Sequence, residues 1–161
     1  MTTGNRHLQL TALCYTDRMA AIFVNSLTYL SLDVIRRRTV EMIRAGEAAV
    51  LSNSGITSHQ LLFPENSRSE RVTITRVSVA PGAKNPPHRH ASSEQIWVAL
   101  RGTGHLLLEN GSTVPFVEGD VVRFEDNDLH GFENTGGSDF EYLSVTSPPI
   151  NFRGAYAKEW K

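Results

Sequence analysis

Between residues 46 and 148 the chain alternates between polar and apolar positions at short range. Nine segments either alternate with period two or run briefly apolar: 48–52, 58–63, 71–79, 95–100, 104–109, 113–117, 120–124, 131–134 and 140–146. Period-two alternation sends successive side chains to opposite faces of a strand. Gly, Pro, Asn and Asp fill the breaks. Asn110-Gly111 is a type I′ hairpin signal, because both central residues of that turn need positive φ. It also makes 110–112 a formal glycosylation sequon, for which the turn is the better account. Many short strands with little helix predict an all-β sandwich or small barrel.

Residues 1–45 read differently. They contain no Pro and one Gly, and six arginines against three acids. Apolar positions from 30 to 43 form a loose helical pattern, so an N-terminal extension, partly helical, is expected over 1–45. Arg36-Arg37-Arg38 reads as a solvated face. Met42 stands close to the change in composition. A product starting there, with 1–41 dispensable, is one expectation; a segment packed on the barrel or a partner is its rival. At the other end, 149–161 carries Phe152, Tyr156 and Trp160. That is too aromatic for a free terminus, and docking on the barrel or on a partner is expected.

Composition narrows the function classes. Of 161 residues, 40% are hydrophobic and 20% charged, and the net charge is −1. No global basic field draws the chain to nucleic acid or an anionic membrane. Cys14 is the single cysteine, so no disulfide forms within the chain and a cytoplasmic setting is the default. No apolar run reaches the roughly 20 residues needed to span a bilayer. Gly102-Thr103-Gly104 lacks the rest of a dinucleotide fingerprint. Neither a P-loop nor a G-x-S-x-G elbow is present.

The chemistry concentrates in "PPHRHASSEQIWVALRGTG", residues 86–104. His88 and His90, at i and i+2 in an extended segment, point the same way. Glu94 and Gln95 follow, and as strand neighbours only one of them can share that direction. His130 begins a later short strand, after the turn-like 125–128. Three imidazoles and one oxygen donor suit a single divalent transition metal: Fe, Mn, Ni, Co, Cu or Zn. His7 and His59 have no companion spacing, and His105, on an apolar run, reads as a barrel histidine.

These spacings resemble the cupin superfamily, whose first motif is G-x5-H-x-H-x3,4-E-x6-G and whose second is G-x5-P-x-G-x2-H-x3-N. Here Gly82, His88, His90, Gln95 and Gly102 follow the first. Gly119, Glu125, Asn127, His130 and Asn134 follow the second. The resemblance implies a double-stranded β-helix, a jelly-roll barrel, over 46–148. It implies a metal held by His88, His90, Gln95 and His130, since the spacing to Gly102 favours Gln95 over Glu94. This chain departs from the pattern in having Gln for the usual Glu, although some cupins resemble it in this. It also has Glu125 and Asn127 for Pro and Gly. Asn tolerates the left-handed backbone that Gly would supply. A neutral amide leaves the metal less tightly held and more Lewis-acidic.

With Gln95 inward, period two brings Trp97 inward, and His130 brings Phe132. Tyr142, Ser144 and Thr146 share one face of the last long strand. Arg76 would suit a carboxylate substrate if it faced the lumen, and an outward Arg76 fits equally well. The expected substrate-binding set is therefore Arg76, Trp97, Phe132 and Ser144, with Tyr142 the one candidate acid or base. The resemblance implies a metalloenzyme acting on a small polar organic acid or sugar-derived substrate by Lewis-acid or O2 chemistry. Dioxygenase, isomerase and lyase types stay open. One cupin subgroup using Gln acts on unsaturated uronates. Its Asp-Val-Phe-x-Pro-x-Arg-like strand is not matched by 144–150 here. The alternative is a non-catalytic small-molecule-binding module. A homodimer is expected, because cupin barrels commonly pair.

Overall fold

The structure is a computed structural model that describes residues 40–160. The expectations for the N-terminal extension, including Cys14, His7, Arg36–Arg38 and most of the loose helix, lie outside the described residues.

Among the described residues, ten strands form two antiparallel sheets. Along the chain they are β1 (Ala49–Asn53), β2 (Ile56–Leu62), β3 (Thr73–Val79), β4 (Lys84–His88) and β5 (Glu94–Arg101). Then come β6 (Thr103–Leu108), β7 (Thr113–Val117), β8 (Val121–Phe124), β9 (His130–Glu133) and β10 (Phe140–Ser147). One sheet runs β1-β2-β3-β10-β5-β8 and the other β4-β9-β6-β7. The last strand thus lies between the third and the fifth, the crossing expected of a jelly roll. A short helix, α1 (Arg153–Tyr156), follows. No helix among the described residues is long and apolar enough to cross a membrane.

Local chemistry sets the turns. Asn110 has φ 61° and Gly111 φ 73°, the positive pair that the β6–β7 hairpin requires. Asn127 has φ 68°, so it does supply the left-handed position where the cupin pattern has Gly. Its backbone N–H donates to His90 O at 2.7 Å. The turn before β9 is therefore latched to the segment that follows β4.

The strands of the larger sheet's centre alternate in burial, β10 and β3 over their whole length. In β10, Phe140, Tyr142, Ser144 and Thr146 are buried while their neighbours are half-exposed. Two kinds of interior result. At one end Phe116, Phe132 and Phe140 close the barrel, with Phe132 and Phe140 stacked at 4.3 Å between ring centres. At the other end Thr73, Thr75, Ser58, Gln60, Ser144 and Thr146 turn hydroxyls and an amide inward. Buried polar groups cost free energy unless paired, and Ser58, Gln60, Thr73 and Thr146 each find a hydrogen-bond partner here.

The outer face carries the ions, and this corrects the luminal placement of Arg76. Arg76 is exposed and paired with Glu141, which also accepts from Arg101 Nη2 at 2.9 Å. Thr75 and Val77 face inward on either side of it, so strand parity sends Arg76 out. Phe132 also needs correction. It is fully buried in the aromatic end and is no wall of the cavity described next.

Candidate metal centre

β4 is the least regular strand and carries the first candidate ligand. It pairs β9 with Asn85 opposite Phe132 and then His88 opposite His130, and the register breaks between them at Pro86-Pro87. Proline lacks the N–H that a ladder needs and is tolerated at a sheet edge. The slip sets two imidazoles side by side, with ring centres 4.6 Å apart. His90 lies beyond the strand end, 5.0 Å from His88 and 5.3 Å from His130. One nitrogen of each ring lies within 4.8 Å of the others.

Hydrogen bonds aim the rings. His88 Nδ1 lies 2.8 Å from Pro86 O and His130 Nδ1 2.9 Å from Asp128 O. A carbonyl only accepts, so each Nδ1 carries the proton and each Nε2 keeps a lone pair for the centre. Burial holds all three imidazoles neutral. It drives His90 and His130 down to about 4, helped by the charge a protonated His88 would present. His88 is lowered by burial too. Phe124 stacks on His130 at 4.2 Å and fixes its plane.

Gln95 completes the set. It faces inward on β5, while Glu94 faces out and accepts from Arg123 Nε at 2.8 Å. The Gln95 amide donates to Thr146 Oγ1 at 2.9 Å and turns Oε1 to within 2.9 Å of His130 Nε2. That contact sets lone pair against lone pair. Two donors on adjacent corners of a metal with bonds of about 2.1 Å stand about 3 Å apart, so a shared cation relieves the repulsion. Rotating the amide would relieve it too, by offering an N–H to His130. His90 Nε2 is buried with no hydrogen-bond partner. Three neutral imidazoles, an amide oxygen and an orphaned nitrogen fit a divalent metal.

The centre opens on a cavity of about 280 Å³. Trp97, Ser144, Thr75, Val77 and Tyr142 line it from the larger sheet, Asn85 and Pro86 from β4. Tyr142 lies two rows from Gln95, about 13 Å along the strand. Its hydroxyl accepts from Asn85 Nδ2 at 3.3 Å, and burial pushes its pKa far up. Burial takes Tyr156 up to about 12, against a hydrogen bond to Ser58 that lowers it. Both phenols therefore stay protonated near neutrality. His105 meets only Thr135 Oγ1, at 3.1 Å, and His59 faces outward.

The remaining wall was not assigned from the sequence. Ile150, Phe152, Tyr156 and Trp160 of the C-terminal tail all line the cavity. The Phe152 ring stands edge-on to His90 at 5.9 Å. Their aromatic character was the signal, but no spacing rule gave their position.

A family model described as a cupin domain matches residues 75–146. An oxalate-binding protein from Thermotoga maritima is 33% identical over 85 residues, which are 53% of this chain and 69% of that one. The chain belongs to the cupin family. Auxin-binding protein 1 from Arabidopsis thaliana is 34% identical over 90 residues, spanning 50% of this chain and 45% of that protein. Among solved structures, a predicted oxalate decarboxylase from Thermotoga maritima superposes with a TM-score of 0.58 at 27% identity. That match covers 66% of this chain and 98% of the other.

Proposed function

We propose that this cupin holds one divalent transition metal through His88, His90, Gln95 and His130, and acts on a small oxygenated organic acid. The observation that carries the reading is the convergence of three neutral imidazole nitrogens within 4.8 Å beside a cavity of about 280 Å³. The Thermotoga maritima names, an oxalate-binding protein and a predicted oxalate decarboxylase, agree with the ligand class.

A metal bound there would polarise a coordinated carboxylate or carbonyl. The protein's own part is to orient and enclose. Among the described residues, no Asp or Glu lines the cavity, and its two phenols are held protonated. No side chain there is suited to take a proton near pH 7. Reaction types that need little acid–base help, such as decarboxylation or reaction with O2, fit this wall better than isomerisation. The same lack of a base favours a second reading, reversible binding without turnover.

Elemental analysis tests the first step, on protein purified without a metal-affinity tag or chelator, beside His88→Ala and Gln95→Ala. Near-stoichiometric metal, lost from His88→Ala and depleted in Gln95→Ala, is expected. Protein that is metal-free as purified and takes up none of Fe(II), Mn, Ni, Co, Cu or Zn would overturn the reading. Metal-dependent turnover of organic acids then separates enzyme from binding module.

The homodimer expected from the resemblance stands as part of this proposal. Val114 and Val117 on edge strand β7 and Val121 on edge strand β8 are exposed apolar residues. Light scattering tests the pairing, and a monomer mass removes it.

A further inference from the structure

We propose that the row Thr75–Ser144–Trp97 is a subsite for the uncharged, hydroxylated tail of an acid whose head meets the metal. This rests on the metal reading above and narrows its substrate class.

The row is fixed by register. Gln60 pairs Thr75, Thr75 pairs Ser144, and Ser144 pairs Trp97 across β2, β3, β10 and β5. It runs parallel to the row at the metal, where Thr73 pairs Thr146 and Thr146 pairs Gln95. Two residues of strand separate the rows, about 7 Å, a distance that a carbon chain of about five atoms spans.

Four buried side-chain polar atoms among the described residues lack a hydrogen-bond partner. One is His90 Nε2, in the metal site. The other three are Ser144 Oγ, Trp97 Nε1 and Gln60 Oε1, all on this single row. Ser144 and Trp97 are 3% and 1% exposed, and both line the cavity. Such atoms are costly to leave unpaired, and their clustering beside an open metal site points to a ligand. An indole N–H only donates, whereas a serine hydroxyl both donates and accepts. A ligand hydroxyl or carbonyl satisfies the pair.

Charge selects against a second carboxylate. Arg89 is the one cation besides the histidines among the described lining residues. Its guanidinium is engaged by Asn127 O at 2.6 Å and Glu109 Oε1 at 2.7 Å. A carboxylate beside Trp97 would be buried with no counter-ion. A hydroxylated tail carries no such penalty, and the flat Trp97 face packs its carbon chain.

The test uses the full chain loaded with Co(II), whose visible absorption reports ligands reaching the metal. Glycolate supplies the head alone, 2-hydroxyadipate the same head with a second charge far enough along its chain to reach the row, and gluconate the head with a hydroxylated tail. Gluconate is expected to bind about tenfold or more tighter than either, the gain of one or two hydrogen bonds to buried, otherwise unpaired groups. In Ser144→Ala and in Trp97→Phe that gap should close while glycolate affinity holds. Should Trp97→Phe fail to take up Co(II), Ser144→Ala carries the test. Equal affinities in the unmodified protein, or a gap that survives both substitutions, overturns the subsite and leaves the metal reading standing. An unmodified protein that takes up no Co(II) overturns the metal reading and the subsite together.

Discussion

A carboxamide at position 95 donates to Thr146 and presents a neutral oxygen beside His130. Replacing it with a carboxylate adds one negative charge where a divalent ion would sit, and the Thr146 hydroxyl can rotate to donate instead. Gln95→Glu is therefore expected to slow metal loss to a chelator about tenfold or more, as charge-assisted contacts exceed neutral ones. Unchanged release would mean that residue 95 does not touch the metal. The histidines make the second prediction. His90 and His130 sit near 4 when folded and near 6.5 when unfolded. Above pH 6.5 neither state binds these protons. Between 6.5 and 4 the unfolded chain takes them up and the folded chain does not. Stability is then lost as pH falls through that window, with the slope set by the difference in bound protons. Chelator-stripped protein should show a flat melting temperature from pH 8 to 7 and a steady fall from 6.5 to 4.5. His90→Asn and His130→Asn together should flatten the fall, and a pair that leaves it intact places its cause elsewhere.

At the scale of elements, alternation made nine of the ten strands legible, and the hairpin at Asn110-Gly111 with them. β4 was not legible, because Lys84–His88 holds two prolines and no apolar alternation. Its pairing comes from its neighbour. Gly131 on β9 has no side chain, and a Cβ there would stand 2.7 Å from Asn85 O and 2.9 Å from Pro87 N. This close approach sets the His88–His130 pair. Gly131→Ala should push β4 off, costing about 1–3 kcal/mol and weakening metal retention. Gly137→Ala, with nothing within 4 Å of its Cβ, is the control. Equal melting temperature and metal content in both variants would remove the close approach from the account. Parity also failed at β3. The sequence Thr-Ile-Thr-Arg-Val-Ser-Val has polar residues on both faces, because the inner one borders the cavity. Nothing local then tells Arg76 from Thr75, and the choice waits for Glu141 on β10.

The β-barrel and the motif spacing were open to sequence reasoning; how the chain closes its cavity was not, since that depends on contacts distant in sequence. The tail is fixed at three points. Thr73 Oγ1 and the Ile150 backbone exchange hydrogen bonds at 2.8 and 3.1 Å. Arg153 pairs with Glu65 at 2.7 Å, with its guanidinium 5.8 Å from the Phe63 ring centre. Asn53 donates to Lys158 O at 2.5 Å and accepts from Trp160 N at 3.2 Å. The ion pair is exposed and contributes little. More comes from Phe152, Tyr156 and Trp160, whose packing keeps apolar surface from water. Phe152 also stands edge-on to His90, so the tail's effect extends to the metal site. Ending the chain after Ser147 should lower the melting temperature by several degrees and speed metal release. Phe152→Ala in the full chain distinguishes the two effects. It leaves all three anchors in place and opens only the face of His90, so it should speed release with a smaller loss of melting temperature. If the shortened chain melts and releases metal as the full chain does, the tail is no wall of the site.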